Sequence, residues 1–192
     1  MNILVLTAHT KNVVVCEDYG KLDYIDVSSI NHIEYCNKHS YTYLKKVISE
    51  DVLEYHATWL KIKAIREVLD DYDYVVWIDS DAIFYELNFK IEEFIVNDAD
   101  LIIPKHEIDE NTGILWTTTT TGFMIWKNSD WSRNMLDYLW NNMGVCRYGA
   151  FHEQTVLDDY LRNIFLERGY DDLYNKSVEE LENNLLIENI YI

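Results

Sequence analysis

The chain is 192 residues long, with 48 % hydrophobic, 14 % aromatic and 26 % charged residues. That composition suits one soluble globular domain over residues 1–192 and excludes a mainly disordered polypeptide. The formal net charge of −18 repels nucleic-acid phosphates and anionic membrane, so neither is expected as a partner. If so acidic a protein handles an anionic substrate, it must import positive charge, and a divalent cation is the obvious means.

Cys16, Cys36 and Cys146 are isolated from one another, which argues against a disulfide framework or a zinc site and for small buried hydrophobes. No apolar run approaches the roughly 18 residues of a membrane span. Residues 1–7 carry no basic leader, and the expectation is a soluble, cytoplasmic protein without a transmembrane segment. There is no internal repeat, and Pro104 is the only proline, so no Pro-rich linker divides the chain.

In chain order, residues 3–6 read as a buried strand ending at Thr7, Ala8, His9 and Thr10. Residues 13–16 and 22–27 read as further strands. Residues 30–48 carry apolar or aromatic side chains at 30, 33, 41, 44, 47 and 48, the pattern of a helix that Asn31, or Ser28 and Ser29, could cap. Residues 58–69 have a wide apolar helical face. Residues 74–78 are a continuous apolar run flanked by acids, as in a central strand buried on both faces. Residues 101–103 and 122–126 read as strands, and residues 129–143 and 152–166 as helices, the first with Ser129 near its N-cap. Ser177 and Glu180 have the spacing of a capping box. This alternation predicts an α/β fold with a mostly parallel central sheet flanked by helices.

The chemistry concentrates after the central strand, in Val75-Val76-Trp77-Ile78-Asp79-Ser80-Asp81-Ala82. Open α/β sheets bind ligands at the carboxyl ends of their strands. Asp79 and Asp81 would share one side if strand alternation persisted, giving a hard-oxygen site for Mn²⁺ or Mg²⁺ completed by substrate phosphates. A solvated acidic turn has the same local look; the buried strand ahead of it and the chain's need for a cation favour the metal site. Lys61, one helix upstream, reads either as a contact for a diphosphate or as an exposed helix lysine beside the core Trp59. Glu153 and Gln154 stand at a helix N-terminus, where free N–H groups and positive partial charge collect. Glu153 there reads as a base, a nucleophile or an acceptor for sugar hydroxyls, and Gln154 as a partner for hydroxyls or a leaving phosphate; simple helix capping is the plainer reading. The threonines 117–121 read as the edge of an acceptor pocket or, more plainly, as a loop-to-strand transition, and Lys105, His106, Glu107 and His9 as residues near the crevice.

These pieces fall into one order: Tyr35-Cys36-Asn37-Lys38-His39-Ser40-Tyr41, Trp59-Leu60-Lys61, Trp77-Ile78-Asp79-Ser80-Asp81-Ala82, Thr121-Gly122-Phe123-Met124-Ile125-Trp126-Lys127-Asn128-Ser129 and Glu153-Gln154. The set resembles the galactosyl- and mannosyltransferase family that includes Golgi mannan-forming enzymes and plant xyloglucan xylosyltransferases, over residues 30–160. The resemblance implies a GT-A fold, a nucleotide-diphosphate sugar donor (a UDP-sugar foremost), a hydroxyl acceptor on a glycan or other molecule, and Mn²⁺ (or Mg²⁺). It assigns Asp81 as main metal ligand and Asp79 to the ribose or the same ion. Ser80 would lie near the nucleotide, and Lys61 at the donor phosphates. Glu153 and Gln154 would lie near the anomeric carbon, with Thr7, Ala8 and His9 bordering base and ribose. It also implies retention of anomeric configuration.

Three departures stand out. Thr121 replaces the Asn usual before the glycine; no histidine follows His152 to complete the metal site; and no membrane anchor is evident. A minimal cytoplasmic version, or a piece of a longer polypeptide, would account for the last two. Two rival readings remain: a haloacid-dehalogenase-type phosphohydrolase with Asp79 as nucleophile, and a non-catalytic nucleotide-sugar-binding module.

Overall fold

The computed structural model describes residues 1–10, 24–48, 55–96, 98–104, 119–147, 152–167, 186–187 and 190–191. The elements are β1 (Ile3–Thr10), α1 (Tyr24–His39), β2 (Thr42–Ile48), α2 (Leu60–Val68), β3 (Tyr74–Ile78), β4 (Leu101–Ile102), β5 (Phe123–Lys127), α3 (Asp130–Asn141), α4 (His152–Glu167), β6 (Leu186–Ile187) and β7 (Ile190–Tyr191). One sheet runs in the order β2-β1-β3-β5-β4-β7-β6.

The sheet is mixed rather than mostly parallel. β1 lies parallel to β2 and β3, and β4 parallel to β7. β5 runs antiparallel between β3 and β4, and β6 antiparallel to β7. A short apolar run records burial but not direction, which is why the sequence pattern placed β5 without revealing that it runs antiparallel.

β3 behaves as its composition demands. All five residues are buried, and alternate side chains enter opposite layers. Val75 and Trp77 join Leu4, Leu6, Met124 and Trp126 under α2, α3 and α4. Tyr74, Val76 and Ile78 join Ile3, Val5 and Ile125 on the side of α1, with its Tyr35 and Cys36. Burial pushes the Cys36 thiol up to about 12, so it acts as a small hydrophobe. Cys36 and Cys146 are both free thiols.

Two boundaries differ from the sequence pattern. Residues 24–27, expected in a strand, open α1, so Ser28, Ser29 and Asn31 lie inside the helix rather than capping it. The expected 30–48 helix breaks at Ser40, whose φ is 62°. Tyr41 N–H bonds the Cys36 carbonyl at 2.9 Å, the closing bond of a Schellman motif. The Thr, Tyr, Val and Ile that follow favour extended chain and pair with β1. Elsewhere pattern and structure agree: α2, β3, β4, β5, α3 and α4 lie where expected to within a few residues. The Ser129 hydroxyl accepts from Ser132 N at 3.1 Å as the N-cap of α3. The strand expected at 13–16, the residues at 105–107 and 117–118, and the capping box at 177–180 lie outside the described residues.

Candidate active site at the carboxyl end of β3

β3 stops at Ile78, and its register with β5 carries the chain into the site: Asp79 N–H bonds the Gly122 carbonyl at 2.9 Å. The chain then turns, with Ala82 N–H on the Asp79 carbonyl at 3.0 Å. Strand alternation therefore ends at Asp79, yet Asp79, Ser80 and Asp81 still line one cavity of about 220 Å³. Ala8 and His9 at the end of β1 form another part of its wall, with Lys61 and Trp77 on a third side. Thr7 is buried behind them and is not among the residues that line the cavity.

Lys61 is no exposed helix lysine. It is 6 % exposed, with Nζ 2.9 Å from Glu153 Oε1 and 3.1 Å from Asp79 Oδ1. It also donates to the Thr121 carbonyl at 3.3 Å. α2 supplies this ammonium because Leu60, Ile62, Ala64 and Ile65 bury the helix against β1 and β3. Burial alone would lower the Lys61 pKa, but the Glu153 and Asp79 carboxylates outweigh it and the value is raised.

Glu153 is buried at the first turn of α4. Its Oε1 also accepts from the Thr121 hydroxyl at 2.9 Å, while Oε2 is buried without a hydrogen-bond partner among the described residues. Gln154 Oε1 accepts from Thr121 N–H at 3.0 Å. Thr121 thus joins both α4 residues to β5 at the position where the resemblance would place Asn. Sequence reasoning singled out Thr121 only as a departure before Gly122 within a loop-to-strand transition, and gave it no partners. Sequence reasoning also passed over the Trp77 indole, which donates from Nε1 to Asp79 Oδ1 at 2.6 Å.

Asp79 is therefore held through Oδ1 by Trp77 and Lys61, leaving Oδ2 toward Gly122. Any Cβ at Gly122 would stand 3.3 Å from that oxygen. Asp81 is exposed and makes no hydrogen bond or ion pair among the described residues. Of the three carboxyl groups Asp79, Asp81 and Glu153, the first and the last pair with Lys61, while Asp79 and Asp81 line the cavity and Glu153 does not. Two of them offer free hard oxygens to solvent, a donor set that fits Mn²⁺ or Mg²⁺ with phosphate or water filling the remaining positions. No cluster of three or more His, Cys, Asp or Glu side chains with metal-binding geometry occurs among the described residues. Beside the site, His152 opens α4 at φ 39° and its ring stacks on His56 at 3.8 Å.

The sequence profile of the galactosyl transferase GMA12/MNN10 family matches residues 1–164. The chain belongs to that family. Among curated relatives, it is 27 % identical over 116 residues to galactomannan galactosyltransferase 1 of Cyamopsis tetragonoloba, covering 59 % of this chain and 26 % of the relative. It is 27 % identical over 137 residues to xyloglucan 6-xylosyltransferase 4 of Arabidopsis thaliana, covering 69 % and 26 %. The matched stretch is thus about a quarter of the length of these curated relatives.

Solved glycosyltransferases share the architecture. One involved in glycosylating the major capsid of PBCV-1 superposes with a TM-score of 0.63 at 17 % identity, covering 84 % of this chain and 77 % of that one. The galactosyltransferase LgtC, solved with donor and acceptor sugar analogs, gives 0.52 at 12 % identity, covering 82 % and 70 %. A mutant Drosophila β-1,4-galactosyltransferase 7, solved with manganese, UDP-Gal and xylobiose, gives 0.52 at 12 % identity, covering 85 % and 62 %. The fold is GT-A. Membership of this family does not favour the phosphohydrolase or binding-module readings.

Proposed function

We propose that this chain transfers a sugar from a nucleotide-diphosphate sugar, UDP being the base we favour, to a hydroxyl of a glycan or other acceptor, with Mn²⁺ or Mg²⁺ as cofactor. The observation that carries the reading is the junction at the end of β3. There a buried Lys61 is ion-paired to both Asp79 and Glu153, and the exposed Asp81 shares its cavity.

Asp81, with the free Oδ2 of Asp79, would hold the ion. When bound, the ion would neutralise the diphosphate and stabilise it as a leaving group. Ala8, His9 and Ser80 border the space for base and ribose, with Thr7 supporting them from behind. Lys61 fixes the Asp79 carboxylate by an ion pair and brings positive charge to the cavity on the side where phosphates would enter. Glu153 and Gln154, tied to β5 through Thr121, would lie by the anomeric carbon. There Glu153 Oε2, which has no hydrogen-bond partner among the described residues, would face developing positive charge on the sugar or accept from one of its hydroxyls. In an otherwise repulsive protein, this is the place where an anionic donor is tolerated. A cytoplasmic site of action belongs to the same proposal; no described helix is long and apolar enough to cross a membrane.

Calorimetry on Asp81→Ala with Mn²⁺ and UDP- or GDP-sugars tests it. Metal-dependent donor binding should disappear in the variant while its thermal unfolding stays parent-like, and the productive sugar nucleotide should raise the parent's Tm only when Mn²⁺ is present. A variant that binds donor with metal as tightly as the parent would falsify the assignment.

A further inference from the structure

The motif around residues 35–41 has no place in the site described above, yet the helix that carries it reaches the acidic turn. Once β3 ends, the backbone of residues 80–84 has no strand partner among the described residues, and its polar groups must find partners elsewhere. One face of α1 supplies them. Ser28 Oγ donates to the Ser80 carbonyl at 2.6 Å. His32 Nε2 bonds the Ala82 carbonyl at 2.9 Å; the acceptor is a carbonyl, so Nε2 carries the proton. Asn31 takes both groups of Phe84, accepting from its N–H at 2.8 Å and donating to its carbonyl at 3.0 Å. The same face continues with His39 Nε2 on the Leu87 carbonyl and the Tyr35 hydroxyl on the Phe89 carbonyl, each at 2.9 Å. Positions 28, 32, 35 and 39 follow helical spacing.

Ser28 and His32 differ from a packing contact in where they act. Ser80 lies between the two acids and Ala82 directly follows the second. Ser28 is 3 % exposed and His32 0 %. The His32 ring is held edge-on between Tyr43 and Phe84, so the donor it aims at the turn is fixed. Ion coordination tolerates displacements of only about 0.2 Å in ligand position, so a backbone held at both residues following Asp79 and Asp81 determines whether their carboxylates converge.

We propose that α1 is the positioning element of the acidic turn, with Ser28 and His32 as positioning residues that set the geometry of Asp79 and Asp81 through the backbone. This rests on the cation role proposed for those two acids. Ser28→Ala and His32→Leu remove the two bonds, and His32→Gln restores an amide donor of similar reach. Tyr35→Phe removes a bond of the same kind from the same helix, but ten residues beyond Asp79. Mn²⁺ affinity is read by electron paramagnetic resonance of the free ion with UDP present, and Tm is recorded for each variant.

Ser28→Ala and His32→Leu should weaken Mn²⁺ binding by about tenfold, with substantial recovery in His32→Gln. Tyr35→Phe should lower Tm while leaving affinity parent-like. If affinity merely follows Tm across the series, or stays unchanged in Ser28→Ala and His32→Leu while Asp81→Asn abolishes it, the positioning role is wrong and the cation site stands. If Asp81→Asn itself binds Mn²⁺ like the parent, the cation site is wrong and the positioning role falls with it. Should His32→Leu fail to fold, Ser28→Ala decides.

Discussion

At the scale of single residues, Lys61 carries the largest energetic burden. Its side chain is 6 % exposed and that of Glu153 4 %; neither charge would be tolerable there alone. The Asp79 arm, on a side chain 35 % exposed, is screened and adds less. Lys61→Met therefore leaves Glu153 buried without its counter-charge, a loss of about 3–5 kcal/mol by analogy with broken buried pairs, measurable by urea unfolding at neutral pH. Because the pKa of Lys61 is raised on folding, its contribution is fully present below the ordinary lysine value of 10.5 and fades as pH rises through the higher folded value. The stability gap between parent and variant should narrow in that alkaline range; a gap that is absent at neutral pH, or that widens with alkali, contradicts the pairing.

At the scale of elements, the critical junction is β3 against β5, whose close approach at Gly122 leaves Asp79 no slack. Its Oδ1 is already committed to Trp77 and Lys61, so it cannot swing away from a Cβ only 3.3 Å from Oδ2 without losing one of those bonds. Gly122→Ala should weaken Mn²⁺-dependent donor binding by about tenfold while changing stability by less than about 1 kcal/mol. Parent-like binding in calorimetry would remove Asp79 from the ion site. Element by element, legibility followed burial. β3 was readable because five consecutive apolar residues between acids suit little besides a strand covered on both faces. Asp79, Asp81, Lys61, Glu153 and Gln154 could be singled out beside it or by their order along the chain. The end of α1 was not readable, because Ser40 adopts a left-handed backbone that no glycine announces. The direction of β5 was not, because pairing sense is a tertiary property. The Lys61 ion pairs and the bonds from α1 to residues 80–84 join positions 18 to 92 residues apart, and no local pattern registers a contact of that kind.

At the scale of the whole molecule, the field of 34 acidic against 16 basic residues acts on every ion that approaches. It opposes a free nucleotide diphosphate and attracts a divalent cation, so the cation's apparent affinity should exceed what two local carboxylates supply, and nucleotide binding should depend on the cation being present. The long-range part of that attraction is screened by salt, whose Debye length falls from about 10 Å at 0.1 M to about 3 Å at 1 M, whereas the direct coordination proposed for the turn would not be. Raising KCl from roughly 0.05 M to 0.5 M should therefore weaken Mn²⁺ binding by several-fold, up to about tenfold, with the parent Tm little changed. UDP titrated without metal should give no heat at either salt. An Mn²⁺ affinity that is flat across this range would mean that the net charge plays no part in loading the site, and that Asp79 and Asp81 act on the ion only at contact distance.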